Sequence, residues 1–375
     1  MKDQKEKILI LFEGQWLAYS PTVIQLYNEL IKKYFVVIFA EKPKGNQVSF
    51  NFTHYFKYEH GITRYFYKLY FITLSFFSPG LKHFKIANNT YQDYCFRFSV
   101  IKKILRKNKF KKVICVDIKN LFYCSMLRQR CDFLSLEICL NENLLPYIDP
   151  GIIDKVIIQR EDRYKYLFKE IKLPTFFVQN APVYLEIEEK RDKEGLIFTG
   201  TVTREFGIFY CLDYMQRYAD EKMIILGGMT DAMKEEINST YIDLIRENRL
   251  KINAGYLKNE DVVEFISGAE IGFCLYNFDT LWVKNYNYQT APSGKVFKYL
   301  AAGVPVICND IPGFDFVRSF QCGELLTDMS PESIRAAIFR IRKNYEIYVE
   351  NGKAAAIHFS FDKAIQPYLD YVDGE

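Results

Sequence analysis

Pro292-Ser293-Gly294, followed by Lys295 and Lys298, is the part of this 375-residue chain whose residue types and spacing best suit chemistry. The Pro-Ser-Gly turn opens a helical pattern. The first N–H groups of a helix have no partner within it, and its dipole is positive at that end. Ser293 is expected at the N-cap. Two lysines three residues apart share a face of the first turns, where they repel each other and oppose the dipole, at roughly a few tenths of a kcal/mol each. Either both reach into water, or an anion at the helix tip makes the arrangement favourable.

Proton transfer would fall to carboxylates just past strand ends, where open α/β sheets bind ligands. Glu13, Asp117 and Glu137 stand there. Glu13, in the turn Glu13-Gly14-Gln15 after the first apolar run, is the preferred candidate, although capping or a solvated loop would also explain it. Sharper motifs are missing. No G-x-G-x-x-G follows a strand and no G-x-x-x-x-G-K-[ST] occurs; the four histidines (54, 60, 83, 358) have neither metal nor triad spacing. No D-x-D offers a carboxylate cradle for a divalent metal. These absences argue against a dehydrogenase, a P-loop ATPase and a metal-dependent transferase, and no metal or cofactor is expected.

The elements that must position these residues alternate along the chain. Apolar runs at 8–12, 35–39, 113–116, 133–136, 156–158 and 176–178 are separated by helix-length segments, such as Thr22 to Lys33 with Val23, Leu26, Tyr27, Leu30 and Ile31 on one stripe. After a charged stretch at 186–194 the rhythm restarts with runs at 195–198, 223–226, 250–252, 271–275 and 304–308. Short all-apolar strands joined by crossovers indicate parallel sheets buried on both faces. The fold class expected is α/β with two Rossmann-like domains: 1–182, then 183–355, and a C-terminal helix in 356–375 that could return to the first domain. At 49% hydrophobic and 26% charged, with a net charge of +4, the chain is neither disordered nor fibrous. Its nine cysteines form no C-x-x-C, and several lie in apolar runs. They read as small buried hydrophobes of a reducing compartment, not as a disulfide framework or zinc site.

Ala291-Pro-Ser-Gly-Lys-Val-Phe-Lys-Tyr-Leu-Ala-Ala-Gly-Val-Pro-Val-Ile-Cys308 resembles the P-x-K-x-x-E-Y-L-A-A-G-x-P-V signature of GT-B fold glycosyltransferases, especially the family 4-like enzymes of bacterial surface polysaccharide (capsule or O-antigen) assembly. Leu196-Ile-Phe-Thr-Gly200-Thr-Val-Thr-Arg204 is similar to the family's opening strand and Gly loop, Met223 to Gly228 to its second strand, and Ile252 to Asp261 to the loop that meets the nucleotide base. The resemblance covers about 195–320 well and the N-terminal half only in its rhythm. It implies two doubly wound domains facing a cleft, the second holding a nucleotide-diphosphate sugar and the first an acceptor. Carried over residue by residue, Gly200 and Thr201 would admit the phosphates to backbone N–H groups. Arg204, Ser293, Gly294, Lys295 and Lys298 would contact the diphosphate beside Gly228, and Tyr256 and Leu257 would meet the base or pack. One departure stands out. The family's two helix-start glutamates are Thr290 and Lys298 here, so retention at the anomeric carbon is not implied, and an inverting enzyme would need a base such as Glu13, Asp117 or Glu137.

Residues 55–112 carry thirteen Lys and Arg against two carboxylates and enclose the aromatic run Tyr65 to Phe77. Basic side chains meeting anionic headgroups, with aromatics at the interface, suit peripheral contact with a membrane. A solvated basic helix at 102–112 beside a core helix is the alternative, and without a recognisable module nucleic acid is not the expected partner. The N-terminal apolar run is too short for a secretory signal, so the chain is expected in the cytoplasm, on or near the inner membrane face. The resemblance points to transfer from a nucleotide sugar to a lipid-linked or oligosaccharide acceptor. A nucleotide-sugar epimerase-like enzyme and a non-catalytic subunit partnering another transferase are the alternatives.

Overall fold

The structure, a computed structural model, describes residues 5–17, 20–41, 53–56, 97–184, 193–255, 259–281 and 285–374, with Tyr65, Phe66, Leu69, Ile72, Thr73 and Phe76 in addition. Its contacts divide the chain into two compact units, Met1–Val178 with Ile365–Glu375, and Gln179–Ala364. Residues 179–182 therefore go with the second unit, and the C-terminal return to the first begins at 365 rather than 356.

Unit 1 is a parallel sheet of β1 (Lys7–Leu11), β2 (Phe35–Glu41), β3 (Thr53–Phe56), β4 (Lys112–Val116), β5 (Cys131–Leu134), β6 (Ile153–Ile158) and β7 (Thr175–Phe177) in the order β3-β2-β1-β4-β5-β6-β7. Its helices are α1 (Pro21–Leu30), α2 (Ser99–Lys107), α3 (Asp117–Met126) and α4 (Glu161–Phe168). Every residue of β4 and β5 is buried, as strands covered by helices on both faces must be. The basic helix expected over 102–112 stops at Lys107; Lys112 is already the buried first residue of β4.

Unit 2 repeats the plan. Its strands are β8 (Leu196–Thr199), β9 (Met223–Gly227), β10 (Leu250–Ala254), β11 (Ile271–Cys274), β12 (Val306–Asn309) and β13 (Gly323–Leu326), ordered β10-β9-β8-β11-β12-β13. Between them run α5 (Ile208–Arg217), α6 (Asp231–Thr240), α7 (Ile242–Arg246), α8 (Asn259–Ile266), α9 (Asn285–Thr290), α10 (Gly294–Ala301) and α11 (Asp315–Phe320); α12 (Pro331–Lys343) and α13 (Tyr345–Phe359) follow. Helix α10 buries Val296, Phe297, Leu300 and Ala301, the stripe written in its sequence. Each large member is worth about 1.5–3 kcal/mol of burial. Gly303, at φ +65°, ends the segment as only glycine does cheaply.

The last helix, α14 (Phe361–Gly374), starts in unit 2, where the Phe361 N–H donates to the Pro182 carbonyl. From Ile365 it belongs to unit 1. There Tyr368 donates to the buried Asp132 carboxylate at 2.9 Å, Tyr371 meets Lys112, and Asp373 accepts from Tyr34 at 2.7 Å and pairs with Lys33. No helix among the described residues is long and apolar enough to cross a membrane.

Candidate active site

Both sheets change direction once, between β1 and β4 in unit 1 and between β8 and β11 in unit 2. At such a switch point the two outgoing loops part, leaving a crevice at the strands' carboxyl ends in which open α/β sheets bind ligands. Several of the sequence-derived candidates lie at these two places.

In unit 2, β8 delivers Gly200 and β11 delivers Tyr276. Gly200 has φ +94°, and a Cβ built on it would touch nothing within 4 Å, so open space lies over this backbone. Gly200 N–H donates to the Leu226 carbonyl and Val202 N–H to the Gly228 carbonyl, which lays the first loop along the second. That close approach requires glycine, because a Cβ at Gly227 would drive into the Gly200 carbonyl oxygen. Thr201, beside Gly200, is exposed.

Helix α10 points its N-terminus at the same edge. Ser293 holds the N-cap position, but its side chain makes no capping bond. The expected side-chain cap is thus corrected, and no side chain of that residue competes for the first-turn N–H groups. Gly294 follows at the tip, half-buried against Asn180. Lys295 does not reach into water. Its Nζ is sealed from solvent, lies 4.5 Å from the centre of the Phe198 ring and 5.5 Å from that of Phe206, and has no hydrogen-bond partner among the described residues. Cation–π contact returns about 0.5–2 kcal/mol, against an effective desolvation penalty of several kcal/mol for a buried ion. An anion at this place would close that deficit. Lys298 is half-buried too, and burial lowers its ammonium below the ordinary range.

Two residues outside the candidate set, one of them the Tyr of the 291–308 signature, fix these strand ends. Tyr299 accepts from the Thr199 N–H at 2.8 Å and donates to the Phe273 carbonyl at 3.2 Å, bolting α10 to the ends of β8 and β11. Asn309 clamps the backbone of Tyr276 from both sides, accepting its N–H at 2.6 Å and donating to its carbonyl at 3.1 Å. Arg204, by contrast, is exposed, paired with Glu236 and laid over the Phe209 ring, so its guanidinium is committed away from the helix tip. Tyr256 and Leu257 lie outside the described residues. Thr290, at the position of the first family glutamate, is buried and donates to the Tyr286 carbonyl.

In unit 1, Leu11 pairs with Cys115, so Glu13 and Asp117, each two residues further on, emerge level with each other on either side of the switch point. The Glu13 carboxylate lies 2.9 Å from Lys119 and 3.9 Å from Arg97. Arg97 is wholly buried: it bonds Glu41 at 3.1 Å, the Phe12 carbonyl at 2.6 Å and Asn120 at 3.3 Å. With Lys112, at least two of the thirteen cations of the basic segment are therefore interior. Asp117 has φ +61°, the left-handed region that a non-glycine residue enters at a cost. Its Oδ1 accepts the Leu136 and Glu137 N–H groups at 2.7 and 2.9 Å, tying β4's exit to β5's, while Oδ2 takes no hydrogen bond among the described residues. Burial pushes the Asp117 carboxyl up to about 7; the two N–H groups work against this, and the nearby Glu137 and Glu13 add to it. The structure thus brings all three acidic candidates together, but gives Glu13 cationic partners and Asp117 the properties of a neutral-pH base.

Searched by sequence, the chain matches no family model and no curated protein. Its structure does match solved ones over essentially its whole length. A sucrose-phosphate synthase from Thermosynechococcus elongatus superposes with a TM-score of 0.65 at 16% identity, covering 98% of each chain. HepE from Anabaena, in complex with UDP-glucose, gives 0.66 at 11% identity, covering 99% of this chain and 100% of that one. The chain has the GT-B fold. WaaG, a glycosyltransferase involved in lipopolysaccharide biosynthesis, shares that fold at TM-score 0.61, with 10% identity over 98% of this chain and 100% of its own. The fold implied by the segment 291–308 is the one observed.

Proposed function

We propose that this GT-B protein is a glycosyltransferase that takes a nucleotide-diphosphate sugar at the β8/β11 switch point of unit 2 and an acceptor hydroxyl at the β1/β4 switch point of unit 1. The observation that carries the reading is the sealed Lys295 ammonium, without a hydrogen-bond partner among the described residues, at the uncapped tip of α10. A diphosphate is the ligand whose charge that site lacks, and HepE, of like fold, is described with UDP and with UDP-glucose bound.

As the bond from the anomeric carbon to the diphosphate breaks, negative charge grows on the leaving oxygens. Helix-tip N–H groups and Lys295 supply a fixed positive field there without a metal ion. The acceptor oxygen forms the new bond to the anomeric carbon, and we assign its proton to Asp117 Oδ2 in preference to Glu13 or Glu137. In this reading Lys298 replaces a family glutamate and adds to the positive field.

The acceptor we propose is lipid-linked or an oligosaccharide of surface polysaccharide synthesis. Tyr65, Phe66, Leu69, Ile72 and Phe76 are helical and exposed, Phe76 to 80%. At 100° per residue, 65, 69, 72 and 76 fall within about 60° of one another, a stripe suited to a lipid interface beside basic sequence.

Titration calorimetry with UDP, GDP and dTDP tests the donor site. One nucleotide should bind in the micromolar range, and Lys295→Ala should weaken it roughly 10- to 150-fold, the scale of a charge-assisted contact. Wild-type affinity in that variant would remove Lys295 from the site. Failure of every nucleotide to bind would favour the non-catalytic subunit, and isomerisation of a nucleotide sugar without transfer the epimerase-like alternative.

A further inference from the structure

Cys115 of β4, Cys124 of α3 and Cys131 of β5 meet inside unit 1. Their sulfurs all lie within 4.8 Å of one another, and Cys115 Sγ donates to Cys124 Sγ at 3.2 Å. None of the three is more than 1% exposed. Among the described residues no other three His, Cys, Asp or Glu side chains converge so closely. We propose that these cysteines form a three-thiol site for a trivalent soft metalloid, revealed by arsenite.

Charge decides which ion the site suits. Sulfur ligands select soft ions, but zinc and copper(I) bind thiolates. Three thiolates around either would leave one or two uncompensated negative charges in a dry core, which is costly. Zinc would also want a fourth ligand, and the group has three members.

A trivalent metalloid avoids both difficulties. Arsenous acid, As(OH)3, condenses with three S–H groups: three As–O bonds break, three As–S bonds form and three water molecules leave. The oxidation state is unchanged and the product is neutral. Geometry agrees. With ion–sulfur bonds of about 2.3 Å, a planar three-coordinate ion would hold its sulfurs about 4 Å apart. A pyramidal ion carrying a lone pair draws them closer, toward the Cys115–Cys124 contact of 3.2 Å. Once formed, the complex staples β4 to α3 and β5, two residues upstream of Asp117.

The test uses the full chain reduced with a phosphine, free of added thiol, exposed to arsenite and examined by native mass spectrometry. One arsenic per chain is expected, with the mass of the three-thiol complex: arsenic gained and three hydrogens lost. Occupancy should fall at least ten-fold in Cys131→Ala and be unchanged in Cys274→Ala, which removes a buried thiol of unit 2. A complex with two thiols keeps one hydroxyl and is heavier by one water. That heavier product, wild-type occupancy in Cys131→Ala, or no adduct at all would overturn the proposal. The wild-type mass decides between two and three sulfurs even if Cys131→Ala fails to fold.

Discussion

Replacing Asp117 with Asn keeps the side chain's shape and removes its charge. Asn enters the left-handed region more readily than most residues, and its carbonyl oxygen can accept the same N–H groups of Leu136 and Glu137. In the wild type, burial raises the carboxyl from 3.8 to about 7. A folded pKa above the unfolded one means that the native state holds the proton more tightly. Its stabilising contribution is therefore complete below the unfolded value, near pH 4, and is lost as pH rises through about 7. Three units at 1.36 kcal/mol each make this loss about 4 kcal/mol at most. The Asn variant has no such loss. Its stability relative to wild type should rise by about 2–3 kcal/mol between pH 5 and pH 8, read by urea denaturation at the two pH values. The transferase activity proposed above should fall roughly 10²–10⁴-fold in the same variant, the range of a lost general base. A stability gap independent of pH would refute the raised carboxyl. Unchanged activity would take the proton away from Asp117.

Three further outcomes follow from the geometry. Lys295→Met removes an ammonium that nothing among the described residues hydrogen-bonds; the ligand-free protein should gain about 1–3 kcal/mol while losing nucleotide-induced stabilisation, and a comparable loss in thermal denaturation would show that the lysine is already satisfied. Tyr299→Phe leaves the Thr199 N–H without its hydroxyl and should cost about 1–3 kcal/mol by urea denaturation; a neutral effect would mean that α10 is held by packing alone. Leu69→Ser combined with Phe76→Ser should weaken co-sedimentation with anionic lipid vesicles at least ten-fold, because each buried Leu or Phe is worth about 1.5–3 kcal/mol. Undiminished binding would discard this helix face as the contact.

The fold was legible wherever strands are buried on both faces. Runs such as Val113 to Val116 or Val306 to Cys308 have no solvent side, so composition alone marks them. Less regular elements escaped. Strand β3 reads Thr-His-Tyr-Phe and β13 Gly-Glu-Leu-Leu, short outermost strands with little apolar signature, and both become strands through a neighbour's ladder. The site was legible in part. Lys295 could be singled out because two cations at a helix start oppose the local field. Whether Nζ is sealed or solvated depends on Phe198 and Phe206, which no spacing rule connects to it. Glu13 and Asp117 look alike in sequence. Lys119 and Arg97 separate them, and Arg97 arrives from a segment more than eighty residues beyond Glu13. The three sulfurs were invisible because gaps of nine and seven residues match no ligand pattern until β4, α3 and β5 are folded together.

Helix α14 makes unit 1 a discontinuous object. The Asp132 carboxylate lies in its interior and takes its hydroxyl partner from Tyr368, more than two hundred residues further along. On a ribosome, the first half of the molecule to emerge is therefore the last to be finished, since its β5 seam waits for residues 365–374. Any fragment ended near Val178 for separate expression deprives this buried carboxylate of the Tyr368 hydroxyl, and a shuffled or permuted gene that keeps residues 365–374 with the first half has the sounder chance of yielding a soluble product.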